Sequence, residues 1–475
     1  MRDPFLILAL ILGVGAMTIV VWGARRATVA PLLSITWSIH SILWCILPLI
    51  IQQFLSEAIE NSVGPLSRNQ LAVLHSSLLL VLAIGFLAIR RPQVSAVTQF
   101  FDRTSPGIGR MFWPMIAALG LLVAVELGLS KVEGASFAEA VAFSVTADSS
   151  ELAQSGLLSV LLGILLGFAI ALISMGRARG VTRNTLVAAW SGLMAFSGFS
   201  ISRGSRSVVL LPVAVGLIAI STLHGKARRS AITALVIVGC ITVVIGAPVA
   251  GIMGLARGGS GALSFELVQE AYSVVFGGST VGRQIEVLAE ETNRKFDAVG
   301  PGVELLALEP IGSAGLRPFL SAGVSAVPRI LYPSKPVPTS RDGTYLGTPY
   351  RIAAKAYGDP EVGMVVPVSA TAISLWEFGV LGPLVFLLAN MVNLVFFNTL
   401  LLSGNVFARA LGISMLGLPN AEFFVAPPSS VLQNDLRMVL LMSLLALSLL
   451  AWDMLVKSGV ISRRQPMRSK FRRAA

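Results

Sequence analysis

Charge is scarce in this sequence. Asp, Glu, Lys and Arg make up 13% of its 475 residues, about half the share of a soluble domain. An ordinary water-soluble globule is therefore excluded. Cysteine is nearly absent. Cys45 and Cys240 both fall inside apolar runs, so the chain has neither a disulfide framework nor a thiolate metal centre. Histidine is as rare, with only His40, His75 and His224. There is no HExxH, CxxC or GxSxG pattern, which leaves zinc, dithiol and serine-hydrolase chemistry without a motif. The stretch GGSTVGR at Gly277–Arg283 resembles a phosphate-binding loop but lacks its closing Lys-Ser/Thr. No internal repeat is visible, which weighs against transporters built from repeated halves.

What the sequence does have is apolar length. It is 55% hydrophobic with a mean hydropathy of +0.80. A helix that crosses a bilayer takes roughly 20 apolar residues. Such runs recur at 4–22, 30–51, 71–89, 112–129, 157–175, 186–201, 208–223, 231–255, 379–402, 405–418 and 436–456. The run at 405–418 is short, and 136–147 is too short to span and is expected at the interface. The pattern predicts an all-α polytopic membrane protein with about eleven transmembrane helices, within a range of about 10–12. A transmembrane β-barrel is excluded, because its strands would alternate over about 10 residues. Pro4–Trp22 reads as a retained span, because Arg25 and Arg26 follow its long apolar stretch, unlike the order in a secretory signal.

The net charge of +12 would suggest nucleic acid in a soluble protein. Here it sorts by membrane side. One set of links carries Arg25 and Arg26; Arg90, Arg91, Arg103 and Arg110; Arg177, Arg179 and Arg183; Lys226, Arg228 and Arg229; Arg409; and the tail KSGVISRRQPMRSKFRRAA. The alternate links carry Glu57, Glu60, Glu133, Glu139, Asp148, Glu151, Glu422 and Asp435. Basic residues stay on the cytoplasmic side. The N-terminus is thus expected outside and the C-terminus in the cytoplasm, with no nucleic-acid partner. Four regions follow: an N-terminal bundle of about eight helices at 1–255, a large extracytoplasmic loop at 256–370, C-terminal helices at 371–456, and a basic tail at 457–475. The tail is a topology anchor that also suits anionic lipid.

A loop this long is functional or disordered far more often than a plain connector. ALSFELVQEAYSVVFG and STVGRQIEVLAEETNRKF each place apolar residues at helical spacing. Two amphipathic helices are expected there. An irregular, proline- and glycine-rich segment from Val327 to Pro360 is expected to follow.

Three stretches carry chemistry. The first is SISRGSRSV at 200–208, a short external link where arginine is out of place. Ser205 or Ser207 can cap the following helix. Gly204 lets successive N–H groups converge. The helix start and the forked donors of Arg203 and Arg206 then favour phosphate. Ser202, Gly204 and Ser205 complete this anion clamp. The plainer alternative is a pair of arginines snorkelling to the interface. The second stretch is PRILYPSKP at Pro328–Pro336, where prolines stiffen a backbone bearing Arg329 and Lys335. Arg341 and Asp342 follow shortly after. These cations either fold over the same anion or are solvated loop charges. The third is SLWEFGVLGPLVF at Ser374–Phe386, where Glu377 meets the membrane edge beside Trp376. An acid there is paired or functional; pairing with an external arginine and general-base catalysis both stay open. Glu126 is a weaker acid of the same kind. Asn390 and Asn393 share a helix face and are expected to bond to a neighbouring helix.

The order of these features resembles the Wzy-type O-antigen and oligosaccharide repeat-unit polymerases, over roughly residues 186–402. The resemblance implies a GT-C-like multi-span glycosyltransferase. It would join polyprenyl-pyrophosphate-linked oligosaccharides on the outer face of the cytoplasmic membrane, with no cofactor. Arg203 and Arg206 match the arginines that open the span. Arg329 and Lys335 match the PR and KP positions, and Phe378 and Gly379 match the FG. The family pattern has a polar amide before that FG, where this chain has Glu377. Membrane lipid and a chain-length regulator are further expected partners. The related ligases typically carry an important loop histidine, and residues 256–370 contain none; a polymerase is the better match. A lipid-linked glycan flippase remains the non-enzymatic alternative.

The orientation has a direct check. A cysteine introduced as Gly204→Cys, in a chain with Cys45 and Cys240 replaced, is expected to react with an impermeant thiol reagent added outside the cell. Labelling only after the membrane is opened would move the SRGSR link to the cytoplasm and remove the clamp.

Overall fold

The computed structural model describes residues 4–26, 28–52, 65–88, 96–104, 167–176, 180–191, 233, 237, 297–327, 332, 368–415 and 427–458. Every regular element among them is helical. Helix α1 (Pro4–Arg25) opens on a proline, whose missing N–H costs nothing in a first turn. Just beyond its end, the Arg26 guanidinium lies 3.8 Å over the Trp22 ring, a cation–aromatic pair of the kind that suits a membrane boundary. Helix α2 (Pro31–Ser41) passes through a π turn (Ile42–Ile46) into α3 (Leu47–Gln52). Together these three fill the run expected at 30–51.

Helix α4 (Arg68–Ala88) starts before the expected 71. The reason is a reciprocal cap: Ser67 N–H donates to Gln70 Oε1 at 2.9 Å, and Gln70 N–H donates to Ser67 Oγ at 3.3 Å. A further helix, α5 (Ala96–Thr104), occupies what the sequence offered only as a basic link. Helices α6 (167–175) and α7 (183–191) fall in the runs expected at 157–175 and 186–201. The runs at 112–129 and 208–223 lie outside the described residues, as does all of 231–255 but two helical positions.

Within 256–370 the structure describes α8 (Val299–Leu308) and α9 (Arg317–Ala326), neither of which the sequence pattern announced. The two amphipathic helices expected earlier in that loop lie outside the described residues. Then come α10 (Ala370–Phe378), a 3-10 turn (Gly379–Leu381), α11 (Gly382–Leu402), α12 (Val406–Met415) and α13 (Pro428–Lys457). Helix α13 opens well before the expected 436, so Asp435 belongs to a helix and not to a link.

Among the described residues four stretches are long and apolar enough to cross a membrane: α1, α4, α10 with α11, and Pro428–Ser448 of α13. The chain is a helical membrane protein. Its packing fits that solvent. Leu6, Ala9, Gly13, Ala16 and Val20 of α1 are buried at helical spacing, and α1 packs along α4. Small residues there let the two helices approach closely. Ile7, Ile11 and Val14 point away from the protein. On α11, Leu384, Leu388 and Val392 likewise face out, while Phe386, Asn390, Leu394 and Phe397 face in. In water such faces would aggregate; in a bilayer they match the medium.

The helix ends gather into two layers. Leu6, Leu49, Leu71, Val303, Leu306, Ala314, Ile373 and Trp376 form one cluster near the Pro4 end of α1. At the Arg25 end, Ala30 N–H donates to Asn398 Oδ1 at 3.0 Å. Arg409 donates to the Ser403 carbonyl at 2.9 Å and to Ser174 Oγ at 2.9 Å. Asn405 donates to Asp102 at 3.0 Å and also caps α12 by accepting from Phe407 N–H at 2.9 Å.

One ion pair fixes α8 to the bundle. Arg68 Nη2 meets Asp297 Oδ2 at 2.6 Å, with both side chains largely buried. The other oxygen, Oδ1, accepts from Val299 and Gly300 N–H at 3.0 and 3.1 Å and so caps α8. Removing one partner of a buried pair strands the other charge, at about 3–5 kcal/mol. Asp297→Ala is expected to lower thermal stability in detergent by that order, while the joint change Arg68→Met and Asp297→Leu recovers most of the loss. Equal melting of wild type and Asp297→Ala would show that the pair is not what holds α8.

Candidate functional site

Helix α10 is short and buried along its length, from Ala370 to Glu377. Three main-chain bonds hold it to the segment before it. Ser369 N–H donates to the Ala298 carbonyl at 2.7 Å, Gly312 N–H to Leu375 at 3.0 Å, and Ala314 N–H to Trp376 at 3.3 Å. The last satisfies a carbonyl that a helix end leaves bare, and Leu375 accepts from Gly312 in addition to Gly379 N–H of its own helix end. Gly379 ends the helix at φ 63°, and Gly312, at φ 80°, lies directly against it. Both conformations are natural only for glycine. Gly382 then brings α11 so close to the Ser374 carbonyl that a Cβ would collide with it.

This turn places Glu377 inside the protein, 1% exposed, against the start of α13. Ser429 Oγ donates a short hydrogen bond to Glu377 Oε1. Glu377 Oε2 has no hydrogen-bond partner among the described residues. Neither do Trp376 Nε1 beside it and Ser369 Oγ at the opposite end of α10. A buried polar atom without a partner is costly, and in a membrane protein such groups mark sites of function. The sequence offered an arginine as the partner of Glu377. Among the described residues a serine hydroxyl fills that place.

Two further polar contacts lie on the same helices. Asn393 of α11, with its amide nitrogen turned to α13, donates to Asp435 at 2.7 Å. Asn390 donates back to the Phe386 carbonyl of its own helix at 3.0 Å. Deeper in the bundle His75 Nδ1 lies 2.7 Å from Thr371 Oγ1 at the start of α10. The His40 ring is 6.1 Å from the His75 ring, and Phe386 covers His75 at 6.4 Å. His75 is buried in the protein. Ser34, Ser41 and Ser76 are buried in the same helices with no partner for their hydroxyls among the described residues.

The two layers therefore differ. At the Arg25 end, Asn398, Asn405 and Arg409 tie helix to helix. Around α10, carboxylate, indole and hydroxyl atoms are left without a partner among the described residues. Such an arrangement can accept a proton or bind a donor group of a ligand at Glu377. Among the described residues no group of three or more His, Cys, Asp or Glu could hold a metal.

Of the catalytic and substrate-binding residues the sequence singled out, Glu377 alone is described. Arg203, Arg206, Ser202, Gly204, Ser205, Arg329, Lys335, Arg341, Asp342 and Glu126 lie outside the described residues. Ser429, Ser369 and the His75–Thr371 contact escaped the sequence reading. Ser429 is 52 positions from Glu377, and no local pattern links a serine after two prolines to that acid. Compared with family models, curated proteins and solved structures, the chain matches none.

Replacing Ser429 bares the second oxygen of Glu377. Ser429→Ala is expected to cost about 1–3 kcal/mol, read as a lower melting temperature of the purified protein. Glu377→Gln, which puts a neutral amide in the same space, is expected to melt at or above the wild-type temperature. A Ser429→Ala protein as stable as wild type would mean that Glu377 does not depend on this contact.

Proposed function

We propose that this chain polymerises polyprenyl-pyrophosphate-linked oligosaccharide repeat units into a surface polysaccharide, as a membrane glycosyltransferase of the Wzy type. The observation that carries the reading is SRGSR at 202–206: two arginines and a glycine-serine backbone opening an apolar run, on the side that charge sorting makes external. A lipid-linked pyrophosphate lies at that lipid–water boundary. The bare oxygen of Glu377, just before the FG of the re-entry segment, supports the same reading. So does the chain's character as a helical membrane protein. About eleven spans, a GT-C-like fold, a place in the cytoplasmic membrane, an external N-terminus and a cytoplasmic C-terminus belong to the proposal.

The chemistry follows from the charges. An acceptor sugar hydroxyl attacks the anomeric carbon of the donor sugar. The new glycosidic C–O bond forms as the bond to pyrophosphate breaks, and the electron pair leaves with the phosphate oxygen. Arg203, Arg206 and Arg329 offset the charge that develops there, the kind of term that dominates many enzymes. Lys335 and Arg341 hold the same anion. Serine hydroxyls and the N–H groups around Gly204 orient it. The hydroxyl proton goes to a carboxylate. Glu377 is one candidate, because its Oε2 has no partner among the described residues. Asp342 is the other. Cleavage of the sugar–phosphate bond drives the transfer, so no nucleotide is needed.

The transporter reading has one observation in its favour, the buried polar group of His40, His75 and Thr371 in the bundle. One experiment separates the readings. The gene is deleted and then complemented with wild type, Arg203→Ala or Glu377→Gln, and surface and lipid-linked glycans are separated by size. A polymerase predicts single repeat units in the deletion, a ladder restored by wild type, and no ladder with Arg203→Ala. Full-length chains stalled on the lipid carrier would indicate a ligase. An unchanged ladder in the deletion would overturn the polymerase and favour transport.

A further inference from the structure

Helix α9 belongs to a stretch that the sequence assigns to water outside the membrane, yet its surface is not one for water. Pro318, Ala322 and Ala326 are buried and α9 packs on α13. The residues between them, Leu316, Leu320 and Val324, recur at every fourth position and point outward, with Leu320 73% exposed. From Leu316 to Val327 the one charged residue is Arg317. An extracellular helix in water would carry polar residues on that outer face.

The outward stripe does not end with α9. Phe319 packs edge-on against Phe378 with ring centres 5.4 Å apart. This contact joins α9 to the turn where Val380 is 89% exposed and Leu381 also faces out. One turn further, Leu384, Leu388 and Val392 continue along α11. That helix is part of a membrane-crossing stretch, and its outer face is where acyl chains lie. Ile311, also outward, flanks Gly379 between the two. The apolar surface is thus continuous from a spanning helix onto α9.

We propose that α9 and the Gly379–Leu381 turn are immersed in the bilayer, with Leu316, Leu320, Val324, Val380 and Leu381 against phospholipid acyl chains. The extracytoplasmic segment is then half in the membrane. It reaches the Glu377 site from within the leaflet, not from above it. The lipid contact does not depend on the reaction the chain carries out.

The test uses the full chain in phospholipid nanodiscs, with Cys45 and Cys240 replaced by alanine. Nitroxide labels are placed at Leu320→Cys and at Val380→Cys. Val392→Cys on α11 is the lipid benchmark. Ser458→Cys, on the exposed turn that ends α13 at the start of the basic tail, is the water benchmark. The ratio of collisions with oxygen to collisions with a nickel chelate is expected to match position 392 at both sites, several-fold above position 458. A ratio like that at 458 would put α9 in water. Protection from both agents would mean that protein covers it. Either result overturns the proposal. Should the cysteine-free chain fail to fold, a diazirine amino acid at position 320 of the native chain gives the same answer. Phospholipid adducts by mass spectrometry support the proposal, and adducts to protein alone overturn it.

Discussion

A bilayer core offers no hydrogen bonds, so every polar group placed in it needs a partner from the protein itself. That constraint organises the described structure. Helices dominate because each satisfies its own backbone. Where a helix must end inside the protein, other chain segments supply the missing partners. The clearest case is α10, whose last carbonyls are taken by Gly312 and Ala314. The Arg68–Asp297 pair obeys the same rule for charge: one carboxylate neutralises a buried guanidinium and caps a helix at once. Against that background Glu377 Oε2, with no partner among the described residues, is an exception, and exceptions of this kind gather at functional sites.

Much of the architecture was legible in composition. The apolar runs at 4–22, 30–51, 71–89 and 379–402 correspond to helices in the structure, because a span leaves a continuous signal over some 20 residues. Boundaries were less legible, since caps and prolines decide them. The Ser67–Gln70 cap extends α4 backward, and Pro428 starts α13 ahead of its apolar run. Helices α8 and α9 were missed for another reason. VGPGVELLAL and RPFLSAGVSA hold proline and glycine, which read as breaks. Tertiary contact overrides that: Gly302 fits α8 against Ala372 and Leu71, and a Cβ there would press both.

The site was only partly legible. An acid beside an aromatic at a membrane edge was enough to mark Glu377, because burial of charge is costly wherever it occurs. Its partner was not readable. Among the described residues a serine from a helix begun much later in the chain is that partner; the external arginines expected to pair with it lie outside the described residues. Long-range pairing of a hydroxyl with a carboxylate leaves no trace in spacing. The asparagines were better signposts. Their shared face on α11 predicted a bond to a neighbouring helix, and Asn393 reaches Asp435 on α13.

The contacts that join the segment around α8 and α9 to α10 are made by main-chain atoms: Ser369 to Ala298, Gly312 to Leu375 and Ala314 to Trp376. Main-chain bonds ask little of side-chain identity. Mutation can therefore rewrite most of the surface of this segment without loosening its attachment to the bundle. The exceptions are the two glycines that touch, where any side chain would force the backbones apart. The surface of such a segment can drift while the scaffold that holds it stays put.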